Sequence, residues 1–174
     1  MRTYLVAVSI ATLILAATAR AAPLTHDLAG LSFLLGEWSG GEGKVAEAGS
    51  TSKGSSVITA QAGGSVLLRR DHTSLFDAGG KPAGEFEQIM MIYPETGQIH
   101  AEYADGTHII HYTSASVDPG NSVTFSGGGR QGAPIFKLTY TLQDAHTLAV
   151  AFSMVPPGST TPHSIATGFL KRQQ

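Results

Sequence analysis

The sequence predicts an all-β fold: an antiparallel up-and-down β-barrel of about ten strands, with a short N-terminal helix capping one end. The chain has 21 glycines and only 14% charged residues, a composition that suits short strands joined by tight turns. Segments of alternating apolar and polar residues recur between Gly, Pro, Asn and Asp turn signals. A barrel would also leave no exposed sheet edge.

The first element is the predicted helix. The apolar run within 28–35 suits one or two helical turns, with Thr25 or Asp27 as the N-cap. Gly36 can end the helix, because glycine tolerates the left-handed conformation of a C-cap. In the strand that follows, Trp38 faces the same way as its two neighbouring glycines. We therefore expect the helix and this tryptophan to seal one end of the barrel.

The remaining strands follow from alternation and turn signals. Segment 46–54 is small and polar and predicts a loop, and Asp105-Gly106 is typical of a two-residue hairpin turn. After the strand that contains Trp38, we predict strands at 55–61, 65–76, 84–93, 98–103, 107–117, 122–126, 135–142, 146–154 and 163–172.

The N-terminal segment resembles a targeting signal. Arg2 precedes an apolar run at 4–17, and Ala19-Arg20-Ala21 fits a small-x-small cleavage site. We therefore predict a signal peptide at 1–21, a single β-barrel domain at 22–174, and export to the periplasm or beyond the cell. The later sequence predicts no membrane span, and the absence of cysteine leaves packing, not disulfides, to hold the fold.

Charge excludes one class of partner. The formal net charge is −2, and no run of Lys or Arg is interleaved with aromatic residues. Nucleic acid is therefore not an expected partner. The oligomeric state stays open.

Alternation predicts which side chains face the barrel interior. On three strands, the predicted inward set is mainly apolar, which fits either a packed core or a ligand cavity. We favour a cavity, because about ten strands enclose more space than side chains fill easily. Its predicted lining is Phe86, Gln88, Met90, Phe136, Leu138, Tyr140, Val150 and Phe152. On the last strand, His163 has the same parity as Ile165, Thr167 and Phe169, and these are also predicted to face inward.

The Gly36-x-Trp38 motif after a short helix resembles the opening of the calycin barrels, which include lipocalins, fatty-acid-binding proteins and their bacterial relatives. The resemblance implies a barrel that binds a small ligand. It also implies that a basic residue near the end of the chain, Lys171 or Arg172, packs beside Trp38.

Two segments are similar to nitrobindin-type haem barrels: "LSFLLGEWSGGEG" near the start and "TPHSIATGFLKR" at the end. This resemblance implies haem as a cofactor, with His163 as its axial ligand. Glu42 departs from the family's glycine alternation. The segments "PIFKLTYTL" and "FSMVPPG" are more similar to exported bacterial proteins of unknown function.

Motifs for catalysis are absent from the sequence, which has neither a Gly-x-Ser-x-Gly elbow nor a cysteine nucleophile. The histidines are too scattered to predict a metal site. The sequence therefore predicts an exported, non-enzymatic barrel that binds a small apolar or amphipathic molecule. The alternatives are a haem barrel that uses His163 and an interaction domain with a filled core.

Overall fold

The computed structural model describes residues 22–40, 43–45, 50–128 and 132–173. The predicted signal peptide, 1–21, lies outside the described residues. Two 3-10 helices, His26–Leu34 and Ala62–Gly64, accompany the strands. The strands are β1 (Gly36–Gly40), β2 (Gly43–Val45), β3 (Ser50–Gln61), β4 (Val66–Phe76), β5 (Pro82–Glu95), β6 (Gln98–Ala104), β7 (Ile109–Asp118), β8 (Ser122–Gly128), β9 (Ile135–Asp144), β10 (Thr147–Val155) and β11 (His163–Arg172).

The strands form a closed antiparallel barrel, as the sequence predicts. From β3 to β11, each strand pairs with the next along the chain. β1 and β2 both lie between β3 and β11 and pair with both of them, so together they occupy one strand position in the barrel. The result is a ten-stranded barrel with no open edge.

The N-terminal 3-10 helix fills one end of the barrel. Its apolar side chains Leu28, Leu31 and Leu34 are fully buried, and the Trp38 side chain is only 1% exposed. The Trp38 Nε1 donates a hydrogen bond to the Leu34 carbonyl at 2.9 Å. The apolar residues of the helix therefore form one continuous core with the buried apolar side chains of the strands around it.

Arg172 closes this end from the last strand. Its guanidinium lies 4.1 Å from the centre of the Trp38 ring and donates to the carbonyls of Leu35, at 2.6 Å, and Phe33, at 3.0 Å. Gly36 has a φ of +127°, and a Cβ there would lie 2.7 Å from the Arg172 Nη1. Glycine is therefore needed at this position, and Arg172 rather than Lys171 covers the tryptophan.

The helix differs from the prediction in type and in its end. It is a 3-10 helix, and its C-cap is Leu35 in an extended conformation, so Gly36 already belongs to β1. Thr25 is the N-cap, but its side chain makes no capping hydrogen bond. The tertiary contacts of the apolar residues hold this helix in place of local capping.

Several predicted strand boundaries also differ from the structure, and two of these differences have a clear physical reason. β3 begins at Ser50 and not at residue 55, because its polar first residues pair with the end of β4. The first of these pairs joins Thr51 to Phe76. The hairpin after β6 has a four-residue loop, and β7 begins at Ile109. There the Asp105 carboxylate accepts hydrogen bonds from the N–H groups of Thr107 and His108, which stabilises the longer turn.

The predicted orientation of the last strand was wrong for Thr167 and Phe169. These residues pair with Ala151 and Ala149, which lie on the outer face of β10, and Phe169 is 52% exposed. The inward set on β11 consists of Ala166, Gly168, Leu170 and Arg172, because these residues pair with or continue the inward set of the neighbouring strands. A register shift between Phe152 and Ser153 changes the parity toward the start of β11.

None of the helices in the described part of the chain has the length and apolarity that a membrane-spanning helix requires.

Candidate functional site: a cavity inside the barrel

The barrel encloses a cavity of about 210 Å³ beside the helix-capped core. The inward residues of β4 show how the core and the cavity are arranged. Leu67 is fully buried in the core, whereas Arg69, Asp71, Thr73 and Leu75, which follow it on the same face, line the cavity. Arg69 and Asp71 therefore mark the inner end of the cavity.

Apolar side chains cover much of the remaining wall. Phe86 on β5, Leu138 on β9, and Val150 and Phe152 on β10 all contact the cavity. The Phe152 ring stacks on Phe136, with 5.7 Å between the ring centres. Alternation places these residues inward because the opposite face of each strand is outside the barrel.

One part of the wall is built from backbone. The cavity is lined by Gly40 on β1, Gly43 on β2, Gly54 on β3 and Gly168 on β11. A Cβ on Gly54 would lie 2.4 Å from the His72 carbonyl oxygen, and a Cβ on Gly40 would lie 2.7 Å from the Gly54 backbone. These glycines allow the strands to approach closely while they leave space on the cavity side.

The cavity reaches the surface on this glycine-rich side. Lys53 on β3 and Thr167 and Phe169 on β11 line the cavity and are also exposed to solvent. β1 and β2 lie between these two strands. The cavity thus meets solvent beside β3 and β11, away from the end that Trp38 seals.

The inner end of the cavity carries a buried ion pair. Arg69 and Asp71 are 7% and 9% exposed. The Arg69 Nε donates to the Asp71 Oδ1 at 2.9 Å, and its Nη2 donates to the Asp71 Oδ2, so the pair is bidentate. Burial alone would lower the pKa of Arg69, but the attraction of the Asp71 carboxylate outweighs it and raises the pKa.

Neutral polar groups surround this ion pair. The Gln88 Oε1 accepts a hydrogen bond from the Arg69 Nη2 at 3.3 Å, and the Arg69 guanidinium lies 5.5 Å from the centre of the Tyr140 ring. Tyr103 and Tyr112 also line the cavity. Burial raises the pKa of all three tyrosines, so their hydroxyls are neutral at physiological pH.

The predicted lining residues fall into two groups. Phe86, Gln88, Leu138, Val150 and Phe152 lie on the cavity wall. The other three do not contact the cavity: Met90 and Tyr140 are buried in the core, and Phe136 packs behind Phe152.

His163 is exposed at the start of β11 and lies outside the cavity lining. The register shift pairs it with Met154, which has the parity of the inward residues Val150 and Phe152. His163 nevertheless lies at the rim of the barrel. No histidine among the described residues lines the cavity, where it could bind a haem iron. The described residues contain no cluster of three or more His, Cys, Asp or Glu side chains that could hold a metal ion.

The Arg69–Asp71 pair was not among the predicted site residues. Neighbouring residues on a strand point to opposite sides, so Arg69 and Asp71 share one face of β4 while Arg70 and His72 lie on the other. The available signal was the parity of Arg69 and Asp71 with Leu67 and Leu75, which places two opposite charges on an otherwise apolar face.

No protein-family model and no curated protein matches the chain significantly. Among solved structures, the chain is similar to the crystal structure of Rv2717c from M. tuberculosis, with a TM-score of 0.58 and 19% sequence identity. The match covers 87% of this chain and 99% of that chain. At this level of identity the likeness shows that the two proteins share the barrel fold.

Proposed function

We propose that this protein is an exported, calycin-like barrel that binds a small apolar or amphipathic molecule without transforming it. The observation that carries the proposal is the cavity of about 210 Å³ that meets solvent beside β3 and β11. Apolar walls with a few placed polar groups are typical of ligand sites. Here Phe86, Val150 and Phe152 supply apolar surface, and Gln88 supplies a polar group.

The volume favours a small ligand. Drug-sized sites occupy about 300–1,000 Å³, whereas an apolar cavity of about 150 Å³ binds benzene. A cavity of about 210 Å³ lies between these values. It suits a single ring with a short substituent, or a short aliphatic chain with a polar end.

The arrangement of polar groups supports binding rather than catalysis. Catalytic acids and bases need groups that exchange a proton near the working pH. In this cavity the Arg69 guanidinium is paired with Asp71, and burial raises the pKa of Tyr103 and Tyr112 away from neutrality. These groups are suited to hydrogen bonding and not to proton transfer.

Export is proposed from the sequence of residues 1–21. N-terminal sequencing of the protein from its host should give a mature chain that begins at Ala22. A chain that keeps Met1 or Arg2 in the cytoplasm would contradict export without affecting the binding proposal.

Binding can be tested with benzene as the probe, in an NMR titration of the mature chain. We expect saturable shifts that are lost in Val150→Trp, because the larger side chain would fill the cavity from β10. The matched control is Ala151→Trp, since Ala151 is exposed on the opposite face of the same strand. Absence of saturable binding in the wild-type protein, or equal loss in both variants, would overturn the proposed function.

A further inference from the structure

The polar groups at the inner end of the cavity carry no net charge. Arg69 and Asp71 are the two charged side chains there, and they face each other in a bidentate pair. The remaining polar side chains at this end, Gln88, Tyr103 and Tyr112, are neutral. A ligand that reaches this end therefore meets dipoles and a compensated ion pair.

We propose that the inner end of the cavity selects a ligand whose polar end is a neutral hydrogen-bonding group, such as an amide, a carbonyl or a hydroxyl, and that it excludes carboxylates and ammonium groups. The charged Lys53 lies apart from this end, where the cavity meets solvent. This inference rests on the proposed function and specifies its ligand class. In a cavity with an unpaired arginine, a ligand carboxylate would be favoured. Here the charge of Asp71 cancels that of Arg69, so a carboxylate gains no such attraction.

The geometry of the ion pair explains the exclusion of anions. Asp71 occupies the Nε and Nη2 edge of the guanidinium, which is the edge that would hold a carboxylate by two parallel hydrogen bonds. The third nitrogen, Nη1, faces the Met90 sulfur at 3.8 Å. A ligand carboxylate would therefore approach Asp71 without gaining the bidentate arginine contact, and its desolvation would not be offset.

Cations are disfavoured by the same pair. An ammonium group near Asp71 also lies near Arg69, whose charge opposes it, and both Asp71 oxygens already accept hydrogen bonds from Arg69. A cation would therefore have to compete with a buried guanidinium for its partner. Burying a charge without a partner is costly.

Neutral hydrogen-bonding capacity remains at this end. The Gln88 side chain lines the cavity and uses its oxygen to accept from Arg69, while its amide nitrogen donates to no other described residue. Tyr112 lines the same end of the cavity, and its hydroxyl makes no hydrogen bond to another described residue. A neutral acceptor on the ligand fits this surplus of donors and brings no net charge.

Three ligands of the same shape test the inference: benzamide, benzoate and benzamidine, which at neutral pH are neutral, anionic and cationic. Dissociation constants should be measured by NMR titration of the wild-type mature chain at fixed ionic strength. We expect benzamide to bind at least about tenfold more tightly than benzoate and benzamidine. Since this comparison uses only the wild-type protein, it does not depend on any variant folding.

The variant Asp71→Asn tests the cause. It leaves the charge of Arg69 uncompensated, so benzoate should bind at least about tenfold more tightly than it does to the wild type, while benzamide changes by less than about threefold. Glu87→Gln is the matched control. It removes one negative charge from the adjacent exposed position on β5 and should change neither ligand.

The outcomes separate the two proposals. If benzene binds but benzoate or benzamidine equals or exceeds benzamide, the neutral-ligand inference is wrong and the binding function stands. If benzene binds and none of the three substituted ligands does, the inference is again wrong. If neither benzene nor any of the three binds, the proposed function and the inference fall together.

Discussion

Replacing Arg172 by alanine should destabilise the barrel more than any exposed substitution. Arg172 joins the end of β11 to the N-terminal helix through the carbonyls of Phe33 and Leu35, and it covers the Trp38 ring. The last carbonyls of a helix have no partner within the helix. Alanine would remove these contacts and expose one face of the indole.

The magnitude follows from these contacts. A hydrogen bond from a charged donor contributes about 1.5–3 kcal/mol, and a cation–π contact contributes about 0.5–2 kcal/mol. The Arg172 side chain is only partly buried, so the lower value of each is appropriate. The Arg172 Nε also donates to the Ala145 carbonyl, but this hydrogen bond is long, at 3.3 Å, and exposed, so it adds little. The two hydrogen bonds to Phe33 and Leu35 and the ring contact then give a loss of about 3–4 kcal/mol in the free energy of unfolding for Arg172→Ala. Arg172→Lys should lose about half of this, because an ammonium group cannot reproduce the planar fork.

Urea unfolding followed by tryptophan fluorescence is the suitable assay, because Trp38 is the sole tryptophan and lies at the contact under test. Arg70→Ala is the matched control, since Arg70 is exposed on the outer face of β4. It should change stability by less than about 0.5 kcal/mol. If Arg172→Ala were equally mild, the closure by Arg172 would not stabilise the fold and this reasoning would be refuted.

Three further predictions concern the cavity, the hairpin after β6 and the rim. Asp71→Leu alone should cost about 3–5 kcal/mol because it leaves a buried guanidinium unpaired, whereas adding Arg69→Leu should recover most of that loss in urea unfolding; equal stability of the single and double variants would contradict this. Burial would raise the pKa of Asp105, but the hydrogen bonds that its carboxylate accepts outweigh burial and lower the pKa. Its contribution to stability is therefore present above the unfolded pKa of about 3.9 and is lost as the pH falls through the lower folded pKa. Asp105→Asn should make stability less dependent on pH between about 5 and 3, and an unchanged profile would speak against these hydrogen bonds. His163→Ala should leave the affinity for benzamide unchanged and haemin spectra unaltered, since His163 lies outside the cavity lining; a sharp Soret band that this variant abolishes would instead support the haem alternative.

Alternation in the sequence was sufficient to predict the barrel and much of the cavity wall. On β9 and β10, large apolar residues repeat at every second position, so Leu138, Val150 and Phe152 could be placed inside. β5 is apolar on both faces beyond Gln88, so the placement of Phe86 inside was a choice between two faces. The last strand could not be treated in this way, because both of its faces contain small or apolar residues. The register shift near Ile165 arises from the pairing of this strand with β10. That pairing cannot be predicted from the sequence of one strand alone.

The sequence also did not predict which inward residues are buried in the core and which line the cavity. Tyr140 and Val150 face the same interior, but Tyr140 is buried in the core and Val150 lines the cavity. Which of them meets open space depends on where the helix ends and on how far its apolar residues reach into the barrel. The Arg69–Asp71 pair shows the same limit, since an inward charge is acceptable only when a partner on the same face neutralises it.

The Trp38 seal and the solvent-facing side of the cavity lie in different parts of the barrel. The seal joins the helix, the indole and the guanidinium at one end, whereas the cavity meets solvent beside Lys53, Thr167 and Phe169. We expect ligands to enter and leave there. Substitutions at exposed lining positions such as Thr167 should therefore change the rates of benzamide entry and escape while the melting temperature stays nearly constant. Gly40 and Gly54 should not tolerate a side chain, because their strands approach too closely, so binding kinetics and stability can change independently only at the exposed positions.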